Sequence, residues 1–229
     1  MRGESVTRLE TFVDAAFAFA LTLMVISVGE LPKSLSELIL ALKRLPTFAA
    51  CFALLMIFWT AHNRWSRRYG LENGRTNFLS LVLVFAVLVW IFPLRMIMSG
   101  AMHFMSLGYL PSEMTMNSST DLQGCFLIYG IGFAALSGTM LQLSRVALGQ
   151  ADELSLDSFE RLETRRDIGS HAILLASALA SVALTFVVRG SDNLLEAAPG
   201  FVYWLIGPAM FWHHRRFHAL RKTLPPRLF

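Results

Sequence analysis

The sequence is short of charge and of cysteine. Only 16% of its 229 residues are Asp, Glu, Lys or Arg, against 55% hydrophobic, and the mean hydropathy is +0.52. Soluble domains carry about a quarter charged residues, so an ordinary soluble fold is excluded. The two cysteines, Cys51 and Cys125, sit inside apolar runs with no CxxC or Cys/His neighbourhood. That argues against a zinc site or a disulfide framework and for small buried side chains. The first residues, MRGESVTRLETF, show no A-x-A cleavage site after an apolar core, so no removable signal peptide is expected. No internal repeat of useful length is found. The net charge of +4 calls for no nucleic-acid partner, because the basic residues line one face of a membrane.

What the sequence does contain is long apolar runs. A spanning helix needs about 20 mainly apolar residues to cross a hydrocarbon core of about 30 Å. Six runs fit: Phe12–Val28, Leu45–Ala61, Phe78–Met98, Leu122–Leu143, Ala172–Val188 and Ala197–Trp212. With their connectors they use almost the whole chain, so residues 1–229 read as one all-α integral membrane domain. Pro93 falls near the end of the third run, and Gly207-Pro208 predicts a kink in the sixth.

Orientation follows from Lys and Arg in the connectors. Of the 20 such residues, fifteen fall at the N-terminus, in the second and fourth connectors and in the tail. They run from Arg2 and Arg8 through Arg64, Arg67, Arg68, Arg75, Arg145, Arg161, Arg165 and Arg166 to Arg215, Arg216, Arg221, Lys222 and Arg227. Lys33, Lys43, Arg44 and Arg189 are the four on the other side, and Arg95 lies inside the third run. Both termini are therefore expected on the cytoplasmic side of the cell membrane.

Ser34–Arg44 places Leu35, Leu38, Ile39 and Leu42 at helical spacing and predicts a short interfacial helix on the outer side. Ser99–Asp121, without Lys or Arg, reads as an irregular outer loop; it contains the formal glycosylation sequon Asn117-Ser118-Ser119. Ala151–Asp167 reads as a cytoplasmic helix extending the fifth run.

Ionisable residues inside spans are expensive and tend to be functional. The two here are Asp14 and Arg95; Arg95, about a turn from the outer end of its run, is able to snorkel. On a helical wheel with Phe19 at 0°, Phe12 falls at about 20°, Leu23 at about 40°, Thr22 at about 300° and Ile26 at about 340°. Asp14 falls at about 220°, nearly opposite. The carboxylate and the Phe19 stripe therefore serve different surfaces. Trp59, His62, Asn63 and Trp65 end the second run and Asn77 precedes the third, all at the depth of Asp14. These groups suit a hydrogen-bonded latch between three helices; an ordinary aromatic and polar belt at the headgroups is the plainer alternative.

Arg8-x-x-x-Phe12-Val13-Asp14 resembles the R-x-x-x-F-S-D signature that opens the first span in the transmembrane protein 175 potassium-channel family, known from lysosomes and bacteria. The continuation AAFAFALTLMVISV, the histidine ending the second run, the asparagine opening the third and Phe92-Pro93 are similar as well. The first hundred residues carry most of the likeness; the later runs match only in number and polarity. The resemblance to the bacterial members implies a homotetramer around one pore, lined by the first span of each subunit and narrowed by apolar rings, with potassium as the permeant ion and no cofactor. It implies that Phe19 occupies the narrowest ring, Thr22 a threonine ring linked to potassium preference, and Leu23 and Ile26 the continuing lining. Arg8, Phe12 and Asp14 match the signature, whose implied role is packing against spans two and three, where His62, Asn63 and Asn77 stand. The signature serine is Val13 here, and Phe19 replaces the usual Leu or Ile. No TVGYG-type filter is present.

Other classes fit less well. A secondary transporter usually shows repeats and a polar site at mid-membrane, whereas runs two, four and five hold no charged residue. An intramembrane enzyme needs converging acid, base or nucleophile side chains, but the histidines fall at span ends or in connectors. A non-conducting scaffold remains open because Phe19 is bulky. The expected partners are membrane lipid and further copies of the chain.

Overall fold

The computed structural model describes residues 7–26, 31–115, 118–188 and 194–223. Arg2, Val28, Asn117, Arg189 and Arg227, used above, lie outside the described residues. Among the described residues there is no strand. The chain forms α1 (Arg8–Ile26), α2 (Leu35–Lys43), α3 (Leu45–Tyr69), α4 (Gly74–Met105), α5 (Ser119–Gly149) and α6 (Ser158–Val187), then α7 (Ala198–Phe201) and α8 (Ile206–Arg221).

Local sequence sets the boundaries. Ser34 caps α2, its hydroxyl accepting from the Glu37 N–H at 3.2 Å. Asn73 and Thr76 form a reciprocal capping box at the start of α4, and Asp157 with Glu160 does the same for α6. α3 ends at Gly70 with φ 58°, where the absence of a Cβ permits the left-handed turn into α4. The 151–157 segment is turn rather than helix, and the expected cytoplasmic extension of α6 begins at Ser158.

Two expectations need correction. α4 does not stop at Met98; it runs through Pro93 and on to Met105, absorbing the first part of the expected outer loop. A proline costs one backbone hydrogen bond, which an otherwise apolar helix held by neighbours on both flanks tolerates. The sixth run is not one helix. It is broken into 3-10 turns at Leu194–Ala197 and Val202–Leu205 around the single turn of α7. The break lies upstream of Gly207-Pro208, which fall in the first turn of α8, where a proline has no intrahelical N–H to lose. Five helices, not six, are long and apolar enough to cross a membrane among the described residues. The irregular stretch packs on α5 and α6, and the Ser181 hydroxyl donates to the Pro199 carbonyl at 2.9 Å. Non-helical backbone at membrane depth needs such buried partners.

The core lies between α3, α4, α5 and α6. Phe58, Trp90, Tyr129, Phe133 and Tyr203 form one aromatic cluster with ring centroids 5.2–6.0 Å apart. Trp90 lies against Gly132, where a Cβ would overlap its indole, and its N–H donates to the Tyr129 carbonyl at 3.1 Å. α1 stands at the edge of this body and packs on α3 and α4.

Candidate functional site

The site is built on α1. Its buried positions are Glu10, Val13, Phe17, Ala20 and Met24, spaced three or four apart as one helix face demands. Val13, at the signature serine position, is fully buried in the core with Phe17. On the opposite face Phe12, Phe19 and Ile26 are uncovered, Phe19 with 55% of its surface accessible. Thr22 shares that open face and Leu23 is half-buried at its edge. The Thr22 hydroxyl donates to the Ala18 carbonyl at 3.0 Å. Its proton is thus used within the helix, and the oxygen keeps its lone pairs on the open face.

The polar flank differs from the expected single latch. Asp14 accepts a hydrogen bond from the Trp59 indole N–H at 2.7 Å; its partner is Trp59, not His62, Asn63 or Asn77. His62 is buried and shares a 3.0 Å hydrogen bond with Ser80 of α4. Asn63 donates to Glu10 at 3.4 Å. The Asn77 carboxamide oxygen is buried without a hydrogen-bond partner among the described residues. Arg8 and Phe12 join Asn77, Glu72 and Leu81 around an open cleft of about 600 Å³ on the α4 side. The six residues therefore divide: Asp14 and Asn63 work at the α1–α3 contact, His62 at the α3–α4 contact, and Arg8, Phe12 and Asn77 at the cleft.

Sequence reasoning missed Glu10. It is only 5% exposed, receives the Asn63 amide and lies 3.6 Å from the Arg67 guanidinium. The signal was present, because Glu10 stands one helical turn before Asp14 and falls on the same wheel flank.

At the opposite end of α1, Arg95 does more than reach for the interface. Its guanidinium donates to the Met24 carbonyl at 3.2 Å and to the Glu113 carboxylate at 2.5 Å. A cation on a last-turn carbonyl suits the negative end of the helix dipole. Glu113 is itself held by an N–H to Ser99 hydroxyl bond of 3.2 Å and lies 3.7 Å from Arg44. Leu23, Arg44, Arg95 and Glu113 share a cleft of about 480 Å³. Among the described residues no group of three or more His, Cys, Asp or Glu is placed to hold a metal.

The sequence profile of the endosomal/lysosomal potassium channel TMEM175 family matches residues 8–93, the stretch from the start of α1 to Pro93 that holds every polar contact of α1 described above except the tie to Arg95. Over that stretch the chain resembles the TMEM175 family. A protein of Marivirga tractuosa described as a potassium channel is 28% identical over 214 residues, covering 91% of this chain and 86% of its own length. The crystal structure of the potassium channel MtTMEM175, as a single-residue variant in complex with a nanobody-MBP fusion protein, superposes with a TM-score of 0.80 at 26% identity, over 95% of this chain and 96% of that one. The TMEM175 likeness thus extends through the later helices, beyond the hundred residues in which the motifs are legible. TMEM175 is a channel family rather than an enzyme class, and the chain, with five helices long and apolar enough to cross a membrane among the described residues, is an integral multi-pass membrane protein.

Proposed function

We propose that the protein is a potassium-conducting channel, a homotetramer with both termini cytoplasmic, whose pore is lined by α1 and narrowed at Phe19. The observation that carries the reading is the division of α1 into a face packed on α3 and α4 and an opposite face bearing Phe12, Phe19 and Ile26, each more than half exposed. Such a face also suits lipid, since lipid tails are as apolar as leucine. Likeness to a channel family over residues 8–93, and the Thr22 oxygen on that same open face, favour a shared axis. One chain supplies one such helix and contains no repeat of it, so a closed pore needs further copies.

Four phenyl rings near an axis exclude a hydrated cation, because stripping its water without replacement ligands is very costly. Conduction then requires the Phe19 rings to swing aside or the α1 helices to tilt, a hydrophobic gate. The test is potassium flux through purified protein in liposomes. Phe19→Ala should widen and wet the constriction and raise the flux, while mass determination in mild detergent should give four chains. Unchanged flux from a normally assembled oligomer would overturn the assignment of α1 to the pore, and a monomer in both detergent and lipid would overturn the tetramer.

A further inference from the structure

A second polar site lies away from α1, where α3, α5, α6 and α8 converge at the arginine-rich end of the bundle. A partly enclosed cavity of about 180 Å³ is lined by Arg64, Arg68, Arg166, Asp167, Ser170 and His171, with Met140 and Leu174 on its apolar side. Its volume is several times the ~30 Å³ share of one water molecule. Three buried polar atoms on its α6 wall have no hydrogen-bond partner among the described residues: Arg166 Nε, Ser170 Oγ and His171 Nδ1. His171 is only 8% exposed. Residues 166 and 170 stand one helical turn apart and face the same way, and His171 borders the same cavity from further round α6.

Buried polar groups are almost always satisfied, so three orphans on one wall call for an occupant, and the surrounding charge says which kind. Arg68 is held by Glu163 at 3.0 Å and Asp167 at 3.1 Å, and Arg166 Nη2 lies 3.2 Å from Asp167. Asp167 is thus neutralised by two guanidinium groups. Arg64 lines the same cavity and makes no ion pair among the described residues. The unused capacity is donor-rich and cationic: an Arg N–H, a hydroxyl, an imidazole and a free guanidinium. We propose that this cavity binds a phosphate group, as the phosphomonoester of an anionic lipid headgroup or as a free phosphate compound.

The cavity is held in shape by close packing of α8. His213 Nε2 hydrogen-bonds the Arg166 carbonyl at 2.9 Å, an approach that Gly169 allows because a Cβ there would overlap the His213 ring. A groove of about 610 Å³ adjoins it, sharing Arg166 and His214 and lined by Phe159, Phe211 and Phe217 beside Arg215, Arg221 and Lys222. Rings beside arginines suit a lipid whose phosphate sits at the cavity and whose chains lie along the helices. The site does not depend on the pore reading of α1.

The experiment uses the full chain in phosphatidylcholine nanodiscs. Inorganic phosphate at constant ionic strength is one probe, read by the shift in unfolding temperature. Phosphatidic acid in the nanodisc is the other, read by lipid retained in native mass spectrometry. Saturable binding of either probe, weakened at least tenfold in both Arg64→Gln and Ser170→Ala, is expected; retention of phosphatidic acid alone identifies the headgroup as the source. Arg64 is exposed, so its variant decides the matter if Ser170→Ala fails to fold. Absence of saturable binding of both probes overturns the proposal. So does binding that Arg64→Gln leaves unchanged, which would assign it to the general basic surface.

Discussion

The indole of Trp59 donates to the carboxylate of Asp14 across 45 residues of sequence at 2.7 Å. This bond fixes the roll of α1 about its own axis. Moving Asp14 off α3 would carry Phe19 off the open face, since the two lie on nearly opposite sides of one helix. The acid of the signature therefore acts as an orienting anchor for the proposed pore face.

Trp59→Phe and Asp14→Asn should each lower the stability of the assembled protein by about 1–3 kcal/mol, because each weakens or removes a partner of a half-buried group. The unfolding temperature should fall in both, and the double variant should lose less than the sum of the two, since they share one bond. Potassium-to-sodium preference should stay unchanged in whatever assembles. A variant that assembles normally but conducts with altered preference would place Asp14 on the pore.

Thr22 separates oxygen chemistry from shape. Thr22→Val keeps the volume and removes the oxygen, whereas Thr22→Ser keeps the oxygen that Ala18 orients. If that oxygen contributes to cation choice, liposome flux under matched potassium and sodium gradients should lose discrimination in Thr22→Val and keep it in Thr22→Ser. Equal behaviour of both variants would assign selectivity elsewhere.

Arg95 ties α1 to the 106–118 connector through the Met24 carbonyl and Glu113, while Glu113 touches α1 only through Arg95 and also lies near Arg44. Arg95→Gln should therefore destabilise more than Glu113→Gln, because it weakens both the bond to the Met24 carbonyl and the ion pair with the loop. A bond to a charged group contributes about 1.5–3 kcal/mol. A double-mutant cycle read by thermal unfolding should give a coupling between the two positions and leave a residual cost in Arg95→Gln alone. Equal single costs would mean that the Met24 contact contributes no more than the pair of Glu113 with Arg44.

Gly169→Ala should disturb the α6–α8 contact, since the added methyl meets the His213 ring. Overpacking of this kind costs about 1–3 kcal/mol. Paired with His213→Ala, which vacates the space, the glycine substitution should become nearly neutral in unfolding temperature. Persistence of its full cost in that background would show that the clash is with something other than the imidazole.

The sequence alone determined the number of apolar runs, the five spans that form long helices, the short amphipathic α2 and the two-faced character of α1. All of these depend on local periodicity, and the cost of burying charge in lipid writes that periodicity plainly. The motif of residues 8–14 was legible for the same reason, being contiguous. Tertiary structure decided which polar groups meet. Trp59 takes Asp14 while His62 turns to Ser80, because residues 59 and 62 differ by about 60° in direction on α3 and core packing fixes the rotation of α3 so that one meets α1 and the other α4. The same packing buries Glu10, brings Arg95 to the end of α1, and closes the arginine-lined cavity from four helices distant in sequence. It also breaks the sixth run, whose hydropathy is that of a span, but whose backbone finds partners on α5 and α6 that no windowed reading of the chain contains.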